Sequence, residues 1–318
     1  MAIDWAALAG LCLVHPGSTV RLDQDFDPSR THHGIGKEAG EAALAEATAT
    51  LFDYQDRFYA QADRALLIVL QGIDAAGKDG TIKHVMTGLN PQDVDVFSFK
   101  APSATEKQYG FLWRHQAALP AFGRISIFNR SHYENVVVTR VHPDTLWPVT
   151  PAEEHHGLWH RRYREINDWE RYLVDNGTVV VKLFLHLSRD EQERRFLQRL
   201  DQPGKNWKFS AADLRERAFW DDYTAAFGDM LSHTSTDWAP WHVVPADHKW
   251  FSHLSTSAVL LETMRSIDPH YPTVDAAARA ELAEAKAELL GLAPGRPAGS
   301  SAEEVAGRAG SPAEGPAG

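Results

Sequence analysis

A single cysteine, Cys12, in 318 residues leaves no partner for an intramolecular disulfide and no companions for a cysteine-based zinc site. That scarcity fits a reducing compartment, so a cytoplasmic protein is expected. No apolar run approaches the roughly 18 residues needed to cross a bilayer, and the apolar stretch Ala6 to Val14 follows Asp4 without a basic flank. Neither a membrane span nor a secretion signal is expected. Positive charge is also short: 32 Lys and Arg stand against 43 Asp and Glu, a formal net charge of −11. Broad nucleic-acid binding needs a large basic face to displace counterions, so no nucleic-acid partner is expected. No repeat of solenoid or propeller period is visible.

What is present is a globular composition, 43% hydrophobic and 24% charged, sufficient for a substantial core. Lys37 to Asp63 has helical spacing of apolar positions, and Ala65 to Leu70 reads as a buried parallel strand. Gly72 to Gly80 then punctuates the chain, and Thr81 to Leu89 continues as a helix. Further strands are predicted at Val94 to Phe99, Ile125 to Phe128, Val179 to Leu187 and Trp241 to Val244. Strands separated by helical segments predict an α/β fold, a doubly wound parallel sheet with helices on both faces. A single domain over residues 1–290, with an N-terminal helical extension, is expected. Residues 291–318 are dominated by Gly, Pro, Ala and Ser and are expected to be a disordered tail.

Gly72-Ile-Asp-Ala-Ala-Gly-Lys78 has the spacing of a phosphate-binding loop, in which small residues let backbone N–H groups approach phosphate oxygens and a lysine supplies charge. The candidates are Gly72, Ala75, Ala76, Gly77, Lys78, Asp79 and Gly80. Asp79 stands where a Ser or Thr usually serves magnesium, which makes Asp74 the candidate metal carboxylate; shaping the turn is its alternative role. After the third strand, Asn129-Arg130-Ser131-His132-Tyr133-Glu134 occupies a strand-to-helix junction where open parallel sheets place ligand groups. Arg130 is suited to a transferring phosphoryl group, or else to an i,i+4 pair with Glu134. Lys100, beyond the second strand, either reaches the same crevice or is surface charge.

From Lys182 to Arg217 nine Lys and Arg oppose six acids, either a patch that concentrates a polyanion or a solvated helix face. Within it Arg195, Arg199, Lys205 and Lys208 are candidate phosphate ligands on a lid near residues 189–210, with Pro203 and Gly204 at a turn. Two other patterns compete. His156 and His160, with Glu153 nearby, have zinc-ligand spacing but no evident third ligand, and Trp207, Trp220, Trp241 and Trp250 suit either base stacking or the core.

Taken together, Gly72 to Gly80, Phe128 to Glu134, Asp201 to Lys208, Trp220 to Tyr223, Ala239 to Trp241 and Pro245 to Trp250 resemble the polyphosphate kinase 2 family, with a likeness reaching about Tyr271. The resemblance implies a thymidylate-kinase-like P-loop fold, a mobile lid, Mg²⁺ with Mn²⁺ able to substitute, and a homodimer or homotetramer. It implies reversible phosphoryl transfer between inorganic polyphosphate and AMP, ADP, ATP or guanine nucleotides. Asn129 with His132, Tyr133 and Glu134 looks like the class III branch, which acts on both mono- and diphosphates. The catalytic set is then Asp74, Lys78 and Arg130, with Lys100 and Asn129 to Glu134 on the nucleotide side. An ATP-dependent nucleoside monophosphate kinase and a silent polyphosphate binder are the alternatives.

Overall fold

The computed structural model describes residues 3–290 except 33, 88 and 149–154, and excludes the side chains of 155, 156 and 208. Five strands, β1 (Ala65–Gln71), β2 (Val94–Ser98), β3 (Ile125–Asn129), β4 (Thr178–His186) and β5 (Trp241–Pro245), form one sheet in the order β2-β3-β1-β4-β5. Every pairing between these strands is parallel. Parallel neighbours require crossovers, and helices supply them. The helices are α1 (Trp5–Gly10), α2 (Leu22–Asp25), α3 (Lys37–Gln61), α4 (Lys78–Val85), α5 (Trp113–Gln116), α6 (Val138–Val141), α7 (His155–Asp175), α8 (Arg189–Asp201), α9 (Ala211–Arg217), α10 (Trp220–Thr234), α11 (Lys249–Ile267) and α12 (Ala276–Leu289).

All seven residues of β1 are buried, because the strand is central and covered on both faces. Its side chains alternate between two cores. Leu66, Ile68 and Leu70 join Phe58, Val85, Leu254 and Leu261 from α3, α4 and α11, while Leu67 and Val69 join Ile166, Phe227 and Trp241 on the opposite face. The doubly wound parallel sheet expected from the sequence is therefore the observed one.

Register places the chemistry. Leu70 on β1 lies opposite Asn129 on β3, so the glycine-rich turn after β1 and the Arg130 turn after β3 emerge side by side at one end of the sheet. Ser98 of β2 and the end of β4 align with the same edge. By their contacts the described residues group into one unit that ends at Tyr271 and a second that begins at Pro272. The second unit contains α12, capped by Asp275 and with no buried residue; its helix-forming composition does not distinguish it from the helices of the first unit. The expected disordered tail, 291–318, lies outside the described residues.

Candidate active site

The loop between β1 and α4 adopts backbone angles that its small residues permit. Gly72 has φ of +150°, and a Cβ there would sit 2.8 Å from the Leu185 carbonyl oxygen. Gly77 caps α4 with φ of +113°. Ala75 also lies in the left-handed region, at +64°, a strain of about 1 kcal/mol for a residue with a Cβ. Lys78 opens α4 and folds back over the turn, donating to the carbonyls of Gly72 at 2.6 Å and Ile73 at 3.3 Å. Burial pushes its ammonium below the usual lysine range, the Arg130 charge adds to this, and Asp74, Glu134 and Asp79 oppose it.

Arg130 faces this loop from β3. Its backbone is left-handed, at φ of +61°, and Nη2 donates to Asp74 Oδ1 at 2.8 Å. Nη1 lies 3.9 Å from Glu134, so the i,i+4 pair and the loop contact coexist. Glu134 first, and then Asp74, holds the guanidinium above its ordinary pKa against burial. Asn129 donates to Asp79 Oδ1 at 2.8 Å, a second tie between β3 and the loop. Asp74, Arg130 and Glu134 line an open cleft with Gly72, Gln192, Glu216, Arg217 and Tyr223.

Glu216, Arg217 and Tyr223 escaped the sequence reading. Tyr223 donates to Glu216 Oε2 at 2.8 Å, and His142 Nε2 meets the same oxygen at 2.8 Å. Tyr223 closes the Trp220 to Tyr223 motif, which was the available signal. Lys249 was also missed: burial first, and then the charges of Arg195 and Lys205, push its ammonium down. It lies in the motif Pro245 to Trp250.

Three candidate ligand residues are placed elsewhere. Arg195 is 5% exposed, and its guanidinium is held by Glu191 and by the carbonyls of Ala75, Ala76, Ala246 and Asp247, leaving no donor for a phosphate. His132 and Tyr133 do not face the cleft either; both are fully buried. His132 Nε2 lies 3.1 Å from Glu170 Oε1, and the Tyr133 hydroxyl donates to that oxygen at 2.7 Å. Lys182 completes the cluster, donating to Glu170 at 2.7 Å, Tyr133 at 2.9 Å and the Thr234 carbonyl at 2.6 Å. Lys182 therefore contributes nothing to the basic patch in which its charge was counted.

Lys100 is exposed beyond β2, outside the lining of the cleft, and its carbonyl accepts from Arg114 at 2.7 Å. Arg199 pairs with Asp213 at 3.3 Å, and Lys205 is half-buried in the turn after α8. The Lys208 side chain lies outside the described residues, as do Glu153 and the His156 side chain of the zinc pattern. Among the described residues no three His, Cys, Asp or Glu are grouped to hold a metal. Trp241 is wholly buried in the core, whereas Trp207 is 77% exposed.

A turn of this form after the central parallel strand, opening a helix with lysine and faced by an arginine from the adjacent strand, places the protein among the P-loop phosphate-binding folds. Within that class the chain belongs to the polyphosphate kinase 2 family, whose profile matches residues 34–272. It is 51% identical over 257 residues to an ADP-polyphosphate phosphotransferase of Rhodopseudomonas palustris, covering 80% of this chain and 89% of that protein. An AMP/ADP-polyphosphate phosphotransferase of Meiothermus ruber is 41% identical over 265 residues, 83% of this chain and 96% of the other. The crystal structure of polyphosphate kinase 2 from Arthrobacter aurescens TC1 superposes with a TM-score of 0.78 at 40% identity, covering 87% of this chain and 96% of that one.

Proposed function

We propose that the protein transfers the terminal phosphoryl group of inorganic polyphosphate to nucleotides, forming ATP from ADP and ADP from AMP, reversibly and with Mg²⁺. The observation that carries this reading is Arg130 set 2.8 Å from Asp74 across a loop that already holds Lys78. That arrangement supplies what phosphoryl transfer needs, alignment and preorganised positive charge, and the names of the similar enzymes support the substrates. The proposed acceptors include AMP as well as ADP, and guanine nucleotides are further acceptors to test.

Mg²⁺ favours hard oxygen donors and usually keeps waters and phosphate oxygens beside one or two carboxylates, so the absence of a three-ligand protein cluster among the described residues is compatible with it. Asp74 is the carboxylate that would hold it, where the ion would neutralise phosphate charge; Mn²⁺ suits the same oxygens. Loop amides and Lys78 hold the phosphate oxygens, and Arg130 turns from Asp74 to the migrating group. A phosphate oxygen of ADP or AMP attacks the terminal phosphorus in line, the new P–O bond forms, and the shortened polyphosphate leaves with the electrons of the broken one. The acceptor phosphate is already largely ionised near neutral pH, so no strong base is required. Lys205 and Lys249 hold the rest of the anionic chain.

The test is incubation with Mg²⁺, polyphosphate and ADP or AMP separately, without ATP, with nucleotide products resolved over time. ATP from ADP and ADP from AMP, each absent without polyphosphate, are the expected products. Phosphorylation of AMP by ATP alone would move the reading to a nucleoside monophosphate kinase, and binding without turnover to a silent binder. The same proposal includes a homodimer or homotetramer, read by sedimentation, and a cytoplasmic location. The buried lone Cys12 and the absence, among the described residues, of a helix long and apolar enough to span a membrane support that location.

A further inference from the structure

The carbonyl oxygens of the phosphate loop are taken up by two side chains of α8. Gln192 Nε2 donates to the Asp74 carbonyl at 3.0 Å, and Arg195 Nη1 donates to those of Ala75 and Ala76 at 2.8 and 3.0 Å. On its other side the same guanidinium reaches past β5, with Nη2 donating to the carbonyls of Ala246 and, at 3.3 Å, Asp247. Nε donates to Glu191 at 2.7 Å. Five acceptors therefore meet the five N–H donors that a guanidinium carries.

A trans peptide points its C=O and the following N–H in opposite directions. Carbonyls 74, 75 and 76 turned toward α8 therefore aim the amides of Ala75, Ala76 and Gly77 to the far side of the loop. The Ala76 amide is taken by the Ile73 carbonyl at 3.1 Å. The amides of Ala75 and Gly77, with those of Lys78, Asp79 and Gly80 in the first turn of α4, have no backbone acceptor among the described residues. Positive φ at Ala75 and Gly77 is the backbone signature of this alternation.

We infer that Arg195, assisted by Gln192, is a positioning residue that clamps the loop carbonyls and thereby presents the loop amides to phosphate. It acts through the loop and touches no substrate. The inference rests on the phosphoryl-transfer reading of the site and goes beyond it, since a lid arginine in a basic segment would otherwise be taken for a polyphosphate ligand.

The test compares Arg195→Lys, Arg195→Ala and Lys205→Ala by steady-state kinetics with polyphosphate and ADP, and by calorimetric binding of tripolyphosphate at several salt concentrations without turnover. A lysine keeps the charge but cannot bridge four carbonyls. Arg195→Lys is therefore expected to lose kcat by on the order of 10²-fold, as a misplacement of about 1 Å does, and to gain little over Arg195→Ala. Tripolyphosphate affinity falls in both variants, with an unchanged slope of log affinity against log salt because no phosphate contact has been removed. Lys205→Ala instead lowers that slope by roughly 0.7.

Recovery of kcat in Arg195→Lys, or a shallower salt slope in Arg195→Ala with kcat intact, would overturn the clamp and restore a ligand role. Circular dichroism and thermal melting check the fold of each variant. If both Arg195 variants unfold, Gln192→Ala removes the bond to the Asp74 carbonyl together with one that its Oε1 accepts from Arg217, and Arg217→Ala is the control for the second: a kcat loss in Gln192→Ala beyond that in Arg217→Ala, with an unchanged salt slope, supports the clamp, and no such excess loss refutes it. The binding arm stands whether or not the wild-type protein turns over polyphosphate, so failure of the substrate assignment and failure of the clamp give different results.

Discussion

Lys78 and Lys182 carry the same ammonium in opposite settings. Lys78 is bound by the carbonyls of Gly72 and Ile73, two residues that line the cleft, and a phosphate can replace them. Removing one preorganised donor from a transition state costs on the order of 10²-fold or more in turnover, so Lys78→Ala is expected to lose at least that much kcat while melting like the wild type. Near-normal turnover would remove Lys78 from the chemistry. Lys182 is sealed with Glu170 inside the second core, and all three of its donors are satisfied. Lys182→Met strands a buried carboxylate and should cost about 3–5 kcal/mol in urea unfolding, whereas Lys182→Met with Glu170→Leu recovers much of that loss. An equal loss in the double variant would mean that the pair itself, not the stranded charge, holds the fold.

At the scale of elements, the strands and the phosphate loop were legible because their signals are local. β1 and β4 are covered on both faces and read as near-continuous apolar runs, and Gly72 to Lys78 carries its own spacing. Side-chain direction was not legible. His132 and Tyr133 sit in the same short motif as Arg130, yet a 3₁₀ turn over His132–Asn135 sends them into the core toward Glu170, a residue distant in sequence. Arg195 and Arg199 share a helix face at i,i+4, yet one braces the loop and the other pairs with Asp213 on α9. The contributions of α9 and α10 to the cleft depend on tertiary packing that no local pattern encodes. The proposed polyanion surface likewise draws on two separated elements, the turn after α8 with Lys205 and the start of α11 with Lys249. Lys249→Ala should raise KM for polyphosphate several-fold, more so at low salt, and leave KM for ADP nearly unchanged. Equal changes in both would place Lys249 on the nucleotide side.

The molecule as a whole should be acid-sensitive well above the carboxylate range. His115, His132, His186, His242 and His253 are all pushed below the ordinary imidazole pKa, in each case first by burial. For His242 and His253 the folded value falls to about 4. Well above pH 6.5 both folded and unfolded chains keep these rings neutral, and they contribute little pH dependence. Below that, the unfolded chain gains protons that the folded chain refuses, so stability falls until the folded values are reached. Glu170 acts with the same sign at lower pH, because Lys182 holds its pKa below the usual range despite the opposing effect of burial. Each histidine refused a proton can add as much as about 1.4 kcal/mol per pH unit. The urea midpoint is therefore expected to be nearly level from pH 8 to 7 and to drop steeply from pH 6.5 to 5. His242→Asn should flatten the drop by up to one proton, since it removes one refused site and leaves the others. A level midpoint between pH 7 and 5 would mean that these rings open to water before the chain unfolds, and that burial in the folded state does not control its response to acid.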